Sequence, residues 1–275
     1  MQGRIVLADN LEFLPTLEAR SVRLIYVDPP FNTGNRQKLD RIAVERSPEG
    51  NRAGFAGIRY SSKVVSSLSY GDRIDDYLGF LGPRLQEAYR ILADDGSLFV
   101  HLDSREVHYV KVWLDALFGR ASFMNEIVWA YDYGGRSRKR WSTKHDTILW
   151  YARDPKNYVY RYEDIDRIPY MAPRLVGPEK AKRGKTPTDV WWHTIVPTSG
   201  KERTGYPTQK PLGIIQRIIN VHSDPGDTVL DFFAGSGTTG QAAALANRNF
   251  ILVDNNPEAI KVMQSRLKPY NPTLQ

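Results

Sequence analysis

Short runs of apolar, β-branched or aromatic residues recur at positions 5–8, 24–28, 97–103, 126–131, 146–153, 228–233 and 249–254. Each has the length and composition of a strand. Between several of them, apolar residues return every three or four positions instead. Residues 77–92 carry Leu78, Leu81, Leu85, Ala88 and Leu92 at helical spacing, and residues 105–118 carry Val107, Val110, Leu114 and Leu117. Further helices are predicted over 238–246, over 257–267 and over 212–221, the last behind Pro211, a residue suited to a first turn. Strands that alternate with helices predict an α/β fold on a parallel or mostly parallel sheet. The runs at 126–131 and 146–153 have no helical pattern between them, which predicts an antiparallel hairpin at a sheet edge.

Two stretches break the alternation. Residues 32–76 carry eight Lys/Arg with weak periodicity, and residues 155–206 are rich in Pro, Lys and Arg and contain the pair Trp191-Trp192. Both are expected as insertions on a single domain spanning 1–275: a basic loop at 32–76 and a second insertion at 155–206. Long segments of this kind in a compact domain commonly carry function.

Composition changes the picture in three respects. At 41% hydrophobic and 25% charged residues, the chain has the make-up of a globular domain, not of a disordered one. Its 38 Lys+Arg against 31 Asp+Glu leave a formal charge of +7, which makes a polyanion a candidate partner. Cysteine is absent, which excludes disulfides, thiolate metal sites and any nucleobase chemistry through a covalent Cys adduct. The histidines His101, His108, His145, His193 and His222 show no metal-ligand spacing, so no metal is expected. No apolar run approaches the roughly 20 residues of a membrane span, and the first residues have no signal-peptide pattern, so a soluble cytoplasmic protein with no membrane partner is expected.

Two motifs carry candidate chemistry. In the first, the strand at 228–233 runs into Phe233-Ala234-Gly235-Ser236-Gly237, and a helix opens at Thr238. Glycines at such a turn let a ligand approach the backbone, with helix N–H groups facing it. No Lys follows the glycines, so this is not a phosphate-binding Walker loop. The strand at 249–254 then ends on Asp254, where an acid binds ribose hydroxyls or caps the next helix. The pair indicates a nucleotide-containing cofactor and leaves its identity open. In the second motif, the strand at 24–28 delivers Asp28, followed by Pro29, Pro30 and Phe31. The prolines stiffen the chain and leave the Asp28 carboxylate and the Pro29 carbonyl as fixed acceptors beside an aromatic face. That combination suits a planar ring bearing an exocyclic NH2; a stiff strand exit is the plainer alternative.

Asp28-Pro29-Pro30-Phe31 followed by Asn32-Thr33-Gly34, together with FAGSGTT, resembles the S-adenosylmethionine-dependent amino-methyltransferases of DNA, which methylate adenine N6 or cytosine N4. The chain order, DPPF first, is that of the family's β group. The segments at 134–154 and 190–211 also resemble family segments, so the likeness covers nearly the whole chain. It implies a Rossmann-like class I methyltransferase fold: a seven-stranded, mostly parallel sheet with one antiparallel strand, in circularly permuted order, with an inserted DNA-recognition segment. It implies S-adenosylmethionine as cofactor, held by Phe233, Ala234, Gly235, Ser236, Gly237, Thr238 and Asp254, by Thr208, Gln209, Lys210 and Pro211, and by Asp9 near the adenine amino group. It places Asp28, Pro29, Pro30 and Phe31 at the target base, extruded from double-stranded DNA, and favours adenine because Asp stands first in the motif. Arg136, Arg138, Lys139, Arg140 and Lys144 form a loop suited to phosphates. A homodimer and a cognate restriction endonuclease are the further candidate partners. The competing readings are an N4-cytosine enzyme, a NAD-dependent oxidoreductase and a non-catalytic DNA-binding subunit. His101 and Asp103, near a strand end, either line the site or serve the core.

Overall fold

The computed structural model describes residues 1–46, 52–53, 59–197 and 200–275. Its strands are β1 (Gly3–Leu7), β2 (Val22–Val27), β3 (Asn35–Arg46), β4 (Arg52–Ala53), β5 (Arg59–Asp72), β6 (Leu92–Leu102), β7 (Phe123–Ala130), β8 (His145–Ala152), β9 (Val190–Trp192), β10 (Thr228–Asp231), β11 (Asn249–Asp254) and β12 (Thr273–Leu274). The helices are α1 (Asn10–Phe13), α2 (Tyr77–Ile91), α3 (Val107–Phe118), α4 (Pro178–Arg183), α5 (Leu212–His222), α6 (Thr238–Leu245) and α7 (Pro257–Leu267).

The main sheet has nine strands in the order β12-β1-β11-β10-β2-β6-β8-β7-β9. All seven predicted strands are in it. Only β8 runs antiparallel to its neighbours, β6 and β7. The two additional strands, β9 and β12, have three and two residues and lie at the edges. Runs that short cannot display a period, which is why the pattern predicted seven. The C-terminal residue closes the far edge: Gln275 donates its N–H to the Ile5 carbonyl at 2.9 Å and accepts from Leu7 at 3.0 Å. β1 therefore lies between β11 and β12 in the sheet.

Alternation along the strands feeds two cores. Leu24 and Tyr26 of β2 pack with residues of α5, α6 and α7, while Ile25 and Val27 pack with residues of α2 and α3. A sheet buried on both faces explains why its central strands read as continuous apolar runs. It also sends all the parallel strands out at one carboxyl edge, where such folds bind ligands.

Residues 32–76 correct the expectation of a loop. β3 and β5 pair antiparallel from Asn35↔Asp72 to Arg46↔Tyr60, and β4 adds a third short strand. This ribbon forms a sheet separate from the main one. Residues 47–51 and 54–58 of the expected loop, and 198–199 of the second insertion, lie outside the described residues. Residues 155–206 are not purely an addition to the core either. They contribute β9 to the main sheet, parallel to β7, with α4 and short irregular turns around it.

Candidate active site

β2 delivers Asp28 to the carboxyl edge, and local bonds then fix the chain that follows. The Tyr77 hydroxyl donates to the Pro30 carbonyl at 2.7 Å. Asn32 adopts φ 55°, a left-handed conformation that Asn tolerates. Its backbone N–H donates to Asp72 at 2.7 Å, its side-chain oxygen accepts from Ile74 at 2.8 Å, and its amide donates to Glu106 at 2.7 Å. Asp28 itself faces a buried cation. The Lys210 ammonium donates to both carboxylate oxygens, at 2.6 and 2.7 Å, and lies 4.5 Å from the centroid of the Phe31 ring. Two residues 182 positions apart thus meet at the motif.

A cavity of about 380 Å³ runs from Asp28 past the turn between β10 and α6 to Asp254. The turn requires its glycines: Gly235 has φ 48° and Gly237 φ 73°, and a Cβ on Gly237 would stand 2.8 Å from Met263. Asp254 accepts from the Gly235 N–H at 2.8 Å and the Asn256 N–H at 2.9 Å. Burial raises its pKa, and those two hydrogen bonds oppose the shift. The cap of α7 is Asn256, so the helix-cap reading of Asp254 is excluded. Asp231, on the cavity wall, accepts from the Thr239 hydroxyl at 2.6 Å and from the Phe233 N–H at 3.0 Å. Burial pushes its carboxyl up to about 7. The turn is clamped by Arg266, which donates to Thr238 at 2.8 Å and to Ser236 at 3.2 Å. At the start of the turn Phe233 meets Phe80, with ring centroids 6.0 Å apart, and both line the cavity.

A second cavity of about 400 Å³ opens between Phe31, Trp129, Tyr131, Asp103 and Asp146. Beneath it lies a chain of polar groups. The Tyr26 hydroxyl is 2.7 Å from His101 Nδ1, and His101 Nε2 is 3.2 Å from Asp146. Tyr131 donates to the other Asp146 oxygen at 3.1 Å. All of these bonds are satisfied when Tyr26 donates to Nδ1 and the imidazole N–H sits on Nε2. Burial acts to raise the Asp146 pKa, but the His101 bond and the nearby positive charge outweigh it and hold the carboxyl low. Asp103 moves the other way, because burial outweighs its bonds to Arg105. The segment from Tyr206 to Lys210 lines both cavities and forms the wall between them.

Among the expected cofactor residues, Phe233, Ala234, Gly235, Ser236, Thr238, Asp254, Thr208, Gln209 and Lys210 line the first cavity. Asp9, Pro211 and Gly237 do not. Asp9 caps α1 by accepting from Leu11 at 2.8 Å, and it pairs with Arg84; its neighbour Asn10 lines the cavity in its place. Pro211 caps α5, and Gly237 stands at the N-cap of α6. Gln209 also braces its own loop, accepting from Thr204 at 2.8 Å and donating to the Glu202 carbonyl at 2.8 Å. Asp28 and Pro30 line the first cavity and Phe31 the second, while Pro29 is buried between them in sequence. Arg138, Lys139 and Arg140 are exposed on the loop between β7 and β8. Arg136 pairs with Asp132, and Lys144 donates to the Tyr133 carbonyl. Trp191 is buried and Trp192 exposed. The sequence offered no signal for Arg266, Tyr77 or Asp146, which act through contacts far along the chain. Among the described residues, no cluster of acidic or His side chains could hold a metal ion. Nor is any helix there long and apolar enough to cross a membrane.

The fold and the sequence have known counterparts. The structure resembles that of the PvuII DNA methyltransferase (cytosine-N4-specific), with a TM-score of 0.66, 16% identity and coverage of 99% of this chain and 89% of that one. It also resembles the M1.HpyAVI–SAM complex, with a TM-score of 0.62, 21% identity and coverage of 97% and 99%. In sequence, it is 30% identical over 271 residues to the DNA adenine methyltransferase YhdJ of Escherichia coli (strain K12), covering 96% of this chain and 82% of that protein. A family model described as DNA methylase, for N6 and N4 methyltransferases, matches residues 22–265, and the chain belongs to that family.

Proposed function

We propose that this protein transfers a methyl group from S-adenosylmethionine to the exocyclic N6 of adenine in double-stranded DNA, acting on a base extruded from the duplex. The observation that carries this reading is the placement of Asp28 on the first cavity, paired with Lys210, which lines both cavities, and of Phe31 in the second. The first cavity fits the cofactor. It offers Asp254 for the donors of a ribose diol, the Phe80–Phe233 wall for an aromatic ring, and the Lys210 ammonium for a carboxylate. When bound there, S-adenosylmethionine supplies an electrophilic methyl group.

The chain's own residues do the rest. The Asp28 carboxylate and the Pro29 carbonyl accept the two amine hydrogens and turn the nitrogen lone pair toward the first cavity. That is orientation and electrostatic stabilisation, with no covalent enzyme intermediate. The nitrogen lone pair would form the new C–N bond as the methyl–sulfur bond breaks with its electron pair left on sulfur, and one N–H proton passes to the Asp28 carboxylate and on to solvent. Phe31 stacks on the base, and for it to do so the Lys210 ammonium must leave the ring face it covers. Its departure also frees an Asp28 oxygen. The aspartate at the head of the motif and the relative named as an adenine methyltransferase support adenine over cytosine.

Residues 155–206 are proposed as the segment that reads the recognition sequence, and Arg138, Lys139 and Arg140 as phosphate contacts. The resemblance adds a second copy of the chain and a cognate restriction endonuclease as partners, and a nucleoid-associated place in the cytoplasm.

The test is methyl transfer from labelled S-adenosylmethionine to unmethylated duplex DNA, read by nucleoside mass spectrometry with Asp28→Ala as control. N6-methyladenine made by the parent and lost in the variant is expected. N4-methylcytosine would overturn the base assignment and keep the site. Failure of the cofactor to bind in calorimetry would overturn the reading.

A further inference from the structure

At the carboxyl end of β7, large aromatic side chains stand in water. The loop that follows, residues 131–144, is held by its own bonds. The Ser142 hydroxyl accepts from the Ser137 N–H at 2.8 Å, and the Ser137 hydroxyl accepts from Lys139 and Arg140 at 3.2 and 3.3 Å. Tyr131 donates its N–H to the Lys144 carbonyl at 3.0 Å, closing the base of the loop. The turn so formed presents Trp141 outward, 98% exposed. Tyr133 is exposed on the same loop. Trp192, 75% exposed, stands on β9 in register with Ala130, the last residue of β7. Trp129 and Tyr131, on either side of Ala130, line the second cavity. The exposed aromatics therefore surround the strand end that walls the proposed base pocket.

We propose that Trp141 enters the duplex at the target position and stacks in the gap left by the extruded base. The inference rests on the reading of double-stranded DNA as substrate. Extrusion removes one base pair and the stacking on both of its sides. An indole is flat, close to a base in size, and offers two faces for stacking, so it replaces what the helix loses. The exposed Arg138, Lys139 and Arg140 beside it favour a polyanion over an apolar protein groove as the occupant of this surface. The bonded turn keeps the indole presented in advance, and Trp141 has no role in the core.

The experiment begins by mapping the methylated sequence on unmethylated amplified DNA. Short duplexes carrying it are then prepared with the target base either paired or opposite an abasic site. Trp141→Ala is expected to lower kcat/KM at least about tenfold on the paired duplex and to recover most of that loss on the abasic one. Trp141→Phe keeps a stacking face and is expected to fall between the parent and Trp141→Ala. An unchanged cofactor dissociation constant shows that the variants are folded. Equal losses on both duplexes would make Trp141 a general DNA contact and overturn the proposal, as would no loss on either. A parent protein that methylates neither duplex would overturn the underlying reading instead.

Discussion

The two cavities that meet at Lys210 are built by different means. The first is built on one local turn and closed by α1, α2, the end of β2 and the loop before α5. Glycines at positive φ, a helix start and Asp254 on the neighbouring strand place backbone donors and a carboxylate within a few residues of one another in space and within 20 of one another in sequence. The second is assembled from the ends of β2, β6, β7 and β8 and from the loop before α5, so its walls come from distant parts of the chain. The turn at the base of the first is specified by sequence nearby. A site built from strand ends depends on the whole sheet being in register.

The sharpest way to break this comparison is at the junction. Asp28→Ala removes the acceptor proposed to orient the amine and should lower kcat by about 10³-fold, while cofactor affinity by calorimetry changes far less. If both collapse together, the two cavities are not separable as described.

Asp254→Ala acts on the turn-built cavity alone. Removing a charged acceptor from a buried site costs about 1.5–3 kcal/mol, so the cofactor dissociation constant should rise by roughly 10- to 100-fold. Binding of DNA without cofactor should be unaffected in a gel-shift titration.

Lys210 belongs to both cavities, and its replacement should move them in opposite directions. Lys210→Met uncovers the Phe31 ring and releases Asp28. It should weaken cofactor binding about tenfold and strengthen cofactor-free binding of a duplex whose target base has no pairing partner by a few-fold. Weakening of both would mean that Lys210 does not occupy the place of the base.

The smallest effect lies outside both cavities. His222 is buried against Phe99, Trp150 and Tyr160, and burial lowers its pKa from 6.5 to about 3. Between those values the unfolded chain binds a proton that the folded chain does not. Stability from this residue is therefore present above about pH 6.5 and lost as pH falls, by at most about 1.4 kcal/mol per pH unit. His222→Phe should flatten the decline of the melting temperature between pH 6.5 and 4.5 and leave catalysis at neutral pH unchanged. An equally steep decline in the variant would assign the acid sensitivity elsewhere.

What the sequence determined by itself is whatever repeats locally or lies in a contiguous motif. The seven longer strands follow from composition and length, because a sheet buried on both faces needs unbroken apolar runs. Five of the helices follow from their spacing. The turn between β10 and α6 was legible because a strand, a glycine pair and a helix start are adjacent in the chain. Asp254 was legible because it ends the next strand. The ribbon at 32–76 was not legible, since it forms a separate sheet that periodicity does not reveal, and neither were β9 and β12, which are too short to have a period. Asp9 shows the limit within a correct element: it does stand at the end of β1, but its side chain caps α1 and meets Arg84, so its neighbour Asn10 faces the cavity. Contacts between distant segments set Lys210 on Asp28, hold Asp146 between His101 and Tyr131, and clamp the turn between β10 and α6 with Arg266. Each of these contacts joins residues far apart along the chain, and their energy exists only once the sheet has brought the strand ends to one edge.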